Sequence, residues 1–509
     1  MKLTLRYCPP ILGIIVALSV VAAFLRLWNF SNTLMFQGDQ GRDALIVSQI
    51  FTKGDPVFIG PVTSVGNMYL GPFYYYFMLP FLYLSYPSPL GPALAVAVLG
   101  ILTVPLTYFL GKELIGKRAA LFAAVLCTFS AAAVTYSRFS WNPNPAPFVG
   151  LLMLWATFRA WKRSPWYWVG VAVCFSILIQ LHYIAILSGV GAGLIWLLSL
   201  YDTLRLPTVT RKKQVMRLVA ATGLAMLVVL LSLTPLALFD YKHNGLIRNA
   251  FINLFTQERI LDKSPKLSLV VKVASVVKDS YGRANKILFE DILGQHQVIN
   301  AVLLAVVGVG LFVQFKKARW KKAPGLIVVF AFLVTGIVGT ALYQHSLFEH
   351  YYAYLFPVVF LILGVVISWV SRWRLPLGPA LAGLCLLILS AINIPRLPLQ
   401  SQAWTITDVS RTTQSIYEHL HPNEQYSLVL LSQSKDLYAQ NYRYFLSTTD
   451  RPPLPPEQAM NAQTLVVINE EHQENVGSLP IYEIVTFPNK TISEVYTIPN
   501  GPEIVIFRR

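Results

Sequence analysis

The chain has 509 residues, 55% of them hydrophobic and only 13% charged, with a formal net charge of +17. A mean hydropathy of +0.54, carried by apolar runs without period-two alternation, excludes a soluble globule and a barrel and points to helices in a membrane. The charge does not indicate nucleic acid, because the basic residues gather in short connections between apolar runs, as cytoplasmic loops do: Lys112, Lys117 and Arg118; Arg159, Lys162 and Arg163; Arg205, Arg211, Lys212, Lys213 and Arg217; Lys316, Lys317, Arg319, Lys321 and Lys322; Arg372 and Arg374.

The first apolar run, Pro9 to Trp28, follows Lys2 and Arg6 and lacks a small-residue cleavage site, so it reads as a retained span and not as a signal peptide. Spans are expected at 9–29, 91–110, 119–136, 147–161, 166–181, 184–200, 218–238, 298–315, 324–343, 353–370 and 377–395. This makes an all-α polytopic membrane protein of about eleven transmembrane helices. With the amino terminus and the basic loops in the cytosol, the odd count places the carboxyl-terminal region outside. Of 24 acidic residues only Glu113 and Asp202 then fall on the inner side.

Leu70 to Tyr86 is apolar and aromatic but carries Pro72 and Pro80; counted as a span it would invert the basic loops, so it is expected to be interfacial or re-entrant. The transmembrane domain is expected over 1–399, with outer loops at 30–90 and 239–297. A soluble extracytoplasmic α/β domain follows at 400–509, with strands at Gln425–Leu431, Thr464–Ile468, Glu483–Phe487 and Glu503–Phe507 and a helix at Asp436–Ser447. It holds no recognisable catalytic motif. The four cysteines, Cys8, Cys127, Cys174 and Cys385, sit in or beside apolar runs and imply no disulfide or thiolate metal site.

The most informative string is Gly38-Asp39-Gln40-Gly41-Arg42-Asp43-Ala44. If Asp39 opens a helix, Asp39, Arg42 and Asp43 share a face, and the helix dipole with Arg42 favours the carboxylate form, able to accept a proton from a bound hydroxyl. The alternative is an N-cap at Asp39 with a solvated Arg42–Asp43 pair. In Tyr136-Ser137-Arg138-Phe139-Ser140-Trp141-Asn142, Arg138 either snorkels to lipid or offers its planar fork to the phosphate of a lipid-linked substrate. Gln180-Leu181-His182-Tyr183 and Tyr343-Gln344-His345-Ser346-Leu347-Phe348-Glu349-His350-Tyr351-Tyr352 also lie at outer span ends. His345, Glu349 and His350 leave a divalent metal open beside polar cavity lining or interfacial aromatics, without a decisive ligand spacing.

Together these strings resemble the polyprenyl-phosphate-sugar-dependent C-type (GT-C) glycosyltransferases, which include protein O-mannosyltransferases and lipid A aminoarabinose transferases. The resemblance covers about residues 1–395. It implies that Asp39 is the catalytic base, that Leu70-Gly71-Pro72-Phe73-Tyr74-Tyr75-Tyr76 is the surface helix of the first outer loop, that Ser137-Arg138 opens the second, and that the loop at 239–297 belongs to the plan. Gln40 stands where the family has an acid, and Asn142 to Asn144 where many members have an aspartate.

The expected activity is transfer of a sugar from a polyprenyl-phosphate donor to a hydroxyl of a glycan, lipid or protein acceptor, with inversion, at the outer face of a plasma (inner) membrane. Asp39 is the expected base. Arg42, Asp43, Tyr74, Arg138, Asn142, His182, Glu349 and His350 are the expected substrate-binding residues, with Arg248, Arg259 or Arg283 as further cations. The rival is a transporter or flippase, which usually carries ionisable residues at mid-span. A third reading is a binding module anchored by the bundle.

Overall fold

The structure, a computed structural model, describes residues 9–63, 66–261, 269–290, 300, 304–305, 308–309, 323–343, 347–373, 376–400, 404–434 and 436–509. The expected span at 298–315 lies for the most part outside the described residues. Helices stand at every other expected span: α1 (Pro9–Leu27), α4 (Leu90–Ile115), α5 (Lys117–Phe129), α6 (Ala146–Lys162), α7 (Tyr167–Leu181), α8 (Ile186–Leu204), α9 (Thr208–Lys242), α12 (Pro324–Ala341), α13 (Phe356–Val370) and α14 (Leu377–Asn393), with α2 (Gly38–Thr52), α3 (Phe73–Ser85), α10 (Leu246–Leu261) and α11 (Leu269–Asn285) between them. Among the described residues six helices are long and apolar enough to cross a membrane, and the Ile11–Leu27 and Tyr167–Leu181 stretches are shorter apolar helices.

Helix α13 is the centre of the bundle: 78% of its apolar stretch is buried, whereas none of that of α9 is. Leu227, Leu230 and Leu231 of α9 are exposed on its outer side, as suits a helix whose solvent is lipid. Small residues let the central helices close in: a side chain at Gly364 of α13 would strike the backbone of Ala119 in α5, and one at Gly150 of α6 would strike Tyr354. Gly116, at φ +88°, makes the turn between α4 and α5. At the basic end the two isolated acids are each engaged, Glu113 with Arg159 at 2.7 Å and Asp202 with Lys162 at 3.0 Å.

Helix α3 has 13 residues, roughly 20 Å at 1.5 Å per residue, too short for a hydrocarbon core of about 30 Å. It packs instead on α2 and α4, with Phe51 edge-on to Tyr83 and Tyr86 at ring distances of 5.5 and 5.3 Å. Its first amide, from Phe73, donates to Gln180 Oε1 of α7 at 3.2 Å, which satisfies one of the orphan donors of a helix start.

The tail forms a four-stranded sheet in the order β3 (Tyr426–Leu431), β4 (Thr464–Asn469), β6 (Glu503–Arg508), β5 (Thr491–Thr497), after a short β1 (Val62–Thr63)–β2 (Gly66–Tyr69) hairpin in the first outer loop. β3 and β4 are parallel and the remaining pairs antiparallel. Helices α15 (Ile406–His419) and α16 (Gln440–Leu446) accompany the sheet. The expected strand at Glu483–Phe487 is a single helical turn, Tyr482–Thr486. Pro480 and Pro488 bracket it and leave too little chain for a ladder, while Ile484 and Phe487 fill the core behind the sheet. The fourth strand is the exposed edge β5.

Period two divides the sheet. Val429, Leu431, Val467 and Phe507 face a small local core, while Leu428, Leu430, Val466 and Ile506 belong to the core that runs on into the bundle. The tail is fastened to the first outer loop through backbone: Met35 and Thr405 form a bridge, Phe36 N–H donates to Trp404 O at 3.2 Å and Ile406 N–H to Leu34 O at 2.9 Å. Tyr444 Oη donates to Pro87 O at 2.8 Å.

Candidate active site

The chain enters α2 through Gln37, whose N–H donates to Gln40 Oε1 at 2.7 Å. Gln40 thus serves the helix cap, and Asp39 is not the N-cap: it stands in the first turn of α2, 48% exposed. Arg42 donates through Nη1 to Asp39 Oδ1 at 2.8 Å, and through Nε and Nη2 to Asp43 Oδ1 at 3.0 and 2.8 Å. The expected shared face therefore exists as a carboxylate–guanidinium–carboxylate array.

Its two carboxylates differ in environment. Asp43 is 1% exposed, and burial raises its carboxyl to about 6 against the pull of Arg42 and with a further push from Asp39. Burial works against the charge of Arg42 as well, but Asp43 and Asp39 outweigh it and hold the guanidinium above its ordinary value. Tyr75 Oη donates to Asp43 Oδ1 at 3.2 Å. The expected Tyr74 instead meets Ser140 Oγ at 2.7 Å. Successive positions on a helix point about 100° apart, so only one tyrosine of the run can reach the array, and the sequence does not show which.

Asp39 and Arg42 open on a cavity of about 410 Å³, whose other walls include Trp141 and, from the tail, Asp436 and Tyr438. Trp141 leads into an aromatic–histidine cluster: its ring lies 4.3 Å from that of His350, His350 lies 4.6 Å from Tyr351, and His182 stacks on Tyr351 at 4.2 Å. His182 Nδ1 accepts from Ile184 N–H at 3.2 Å, which fixes the orientation of the imidazole. Glu349, half-buried, precedes His350 in the same helical turn. Beyond the cluster, Arg283 donates to Tyr343 O at 3.1 Å and Lys286 Nζ to Leu347 O at 2.6 Å. Lys286 is a cation that sequence reasoning missed. Its signal was a basic residue in the long outer loop, but several others share that feature.

Two expected ligands are spent on the scaffold. Arg138 is 3% exposed; it donates to Leu25 O and Trp28 O at 2.8 Å each and to Thr33 Oγ1, closing the carbonyl end of α1, and it does not line the cavity. In this arrangement the expected phosphate fork is engaged with backbone carbonyls. Asn142, also buried, donates to Leu181 O at 2.6 Å and closes α7 in the same manner. Arg248 is exposed near the start of α10, the side chain of Arg259 lies outside those described, and so does His345. Among the described residues no group of three or more His, Cys, Asp or Glu is gathered that could hold a metal ion.

A family model described as dolichyl-phosphate-mannose-protein mannosyltransferase matches residues 70–233. That stretch is less than half of the chain, and it leaves out both Asp39 and the tail. No curated protein sequence matches the chain. Among solved structures it is similar to ArnT from Cupriavidus metallidurans bound to undecaprenyl phosphate, with 14% identity, a TM-score of 0.59 and 98% of each chain covered. It is also similar to the oligosaccharyltransferase of Archaeoglobus fulgidus in complex with zinc and sulfate, with 14% identity, a TM-score of 0.52, and 97% of this chain and 72% of that one covered.

Proposed function

We propose that this chain, which has the C-type glycosyltransferase fold, moves a sugar from a polyprenyl-phosphate donor to an acceptor hydroxyl at the outer face of the plasma membrane, with its basic connections in the cytosol. The observation that carries the reading is Asp39: a half-exposed carboxylate in a helix first turn, steadied by Arg42 and opening on a cavity large enough for a sugar. The undecaprenyl phosphate held by ArnT supports a polyprenyl carrier here.

The acceptor oxygen attacks the anomeric carbon from the side opposite the phosphate. The bond from that carbon to the phosphate oxygen breaks with its electron pair going to the phosphate, and the acceptor proton passes to Asp39. One displacement with one base inverts the anomeric centre. The leaving phosphate needs positive charge where its own charge develops. Arg283 and Lys286, beyond the aromatic–histidine cluster and less buried than Arg138, take that part beside Arg42, exchanging the carbonyls of Tyr343 and Leu347 for the phosphate. A transport reading has less to stand on: among the described Asp, Glu, Lys and Arg residues Arg26 is the one buried within an apolar helix, and it donates to the carbonyls of Ala22 and Cys127.

The test is transfer from labelled polyprenyl-phosphate sugars by the purified protein and by Asp39→Asn. General-base assistance is worth ~10² to 10⁴ in rate, and the substitution is expected to lose that factor with unchanged thermal stability. Transfer undiminished in Asp39→Asn removes the carboxylate from this role.

A further inference from the structure

The cavity has one wall that the glycosyltransferase reading does not use, and it comes from the tail. Asp436, Tyr438 and Ser434 stand across from Asp39. Their position is fixed by close backbone approach: a Cβ at Gly38 would collide with the Asp436 carboxylate, and one at Gly41 with the backbone of Gln440 and Asn441. Asn441 Nδ2 also donates to Phe36 O at 3.3 Å. The two glycines of the Gly-Asp-Gln-Gly string thus let the tail settle directly on the turn that carries Asp39.

Asp436 is braced from its own side. Oδ2 accepts from Gln440 N–H at 2.8 Å and Oδ1 from Tyr438 N–H at 3.3 Å, so each carboxylate oxygen keeps a lone pair for a ligand. Tyr438 is 48% exposed and, with Trp141, offers a flat aromatic face. The charge of the wall matters as much as its shape. Asp39 and Asp436 both line the cavity, and the guanidinium beside them is shared by Asp39 and by the buried Asp43. Among the described residues of this wall the carboxylates outnumber the guanidinium, which disfavours an anionic ligand; hydroxyl groups would meet acceptors on two sides and aromatic faces between.

We propose that Ser434, Asp436 and Tyr438 of the tail form the acceptor subsite, and that Asp436 and Tyr438 bind the hydroxyls of a neutral, polyhydroxylated acceptor, presenting one of them to Asp39. The subsite rests on the glycosyltransferase reading for its purpose but not for its occupancy. It makes the carboxyl-terminal domain the specificity element of the enzyme, apart from the cations assigned to the donor phosphate.

The experiment is equilibrium binding to the full chain in nanodiscs, with two separate probes: neutral methyl hexopyranosides with the matching hexose 6-phosphates, and undecaprenyl phosphate. The intact protein is expected to bind the neutral glycosides at least tenfold more tightly than the phosphates. Asp436→Asn and Tyr438→Phe are each expected to weaken glycoside binding severalfold and leave undecaprenyl phosphate binding unchanged; Tyr438→Phe, whose hydroxyl braces nothing, guards against a folding defect in the first variant. Equal binding of neutral and phosphorylated sugars, no glycoside binding at all, or a loss confined to undecaprenyl phosphate overturns the subsite. Failure of the intact protein to bind undecaprenyl phosphate counts against the donor reading instead, so the two can fail separately.

Discussion

Two connecting segments of this protein contain similar residues and put them to different uses. Gln37–Asp43 and Tyr136–Asn144 each carry an arginine among short polar side chains at the end of a spanning helix. In the first, Arg42 binds carboxylates that open on the cavity. In the second, Arg138 gives both terminal nitrogens to the carbonyl end of α1 and the adjoining turn, and Asn142 does the same for α7. Buried carbonyls at a helix end demand donors as strongly as a substrate would. A polar residue at such a boundary is available for chemistry only after the backbone has been satisfied. The first segment escapes that demand because Gln40 serves the cap and leaves Asp39 without a structural task.

The widest separation is expected between Asp39→Asn and Arg138→Ala. The former should lose ~10²-fold or more in turnover and keep its melting temperature. The latter leaves two carbonyls without their donor, at ~1–3 kcal/mol each, and should lower the melting temperature in detergent markedly while the folded fraction keeps a near-normal turnover per molecule. A well-folded Arg138→Ala protein with a greatly raised KM for the polyprenyl donor would break the comparison and return Arg138 to the phosphate.

A smaller effect follows from Asp43. Its carboxyl is held at about 6 against an ordinary 3.8, so folding favours the neutral acid: the stability this contributes is fully present below about pH 4 and is lost as pH rises through 6. Activity should run the other way, because the ionised carboxylate is what holds Arg42 against Asp39. Turnover is expected to fall several-fold between pH 7 and 5 with a midpoint near 6, and Asp43→Asn should remove that limb of the profile. An acid limb that persists in Asp43→Asn assigns it to another group.

How much of this the sequence disclosed depended on the range of the contact. The apolar helices and the Asp39–Arg42–Asp43 face are set by periodicity and composition within a few residues, and they were legible. The destination of the Arg138 fork was not: its acceptors lie 113 and 110 residues earlier in the chain, and no local pattern distinguishes a carbonyl partner from a phosphate. Asp436 was hidden for the same reason, since it joins the cavity only through the docking of a tail that by itself shows no motif. The edge strand β5 was missed because its alternation is weak, with Ser493 and Glu494 adjacent in its middle, while Glu483–Phe487 carried the stronger β-branched signal but lay between two prolines.

The finest test sits on α3, where adjacent tyrosines touch the two segments one each. Tyr75 donates to Asp43 in the first and Tyr74 meets Ser140 in the second. Their substitution by phenylalanine removes one hydroxyl apiece from well-buried sites, so both should cost on the order of 1 kcal/mol of stability. Only Tyr75→Phe should also move the acid limb of the pH profile, and the sign is fixed: the hydroxyl donates to the carboxylate and lowers its pKa, so losing it shifts the midpoint upward. Tyr74→Phe should leave that midpoint in place, because the hydrogen bond it loses ends on a serine. Equal shifts in the two variants would mean that the segments share one electrostatic unit, and the division between a turn that opens on the cavity and a structural one would no longer hold.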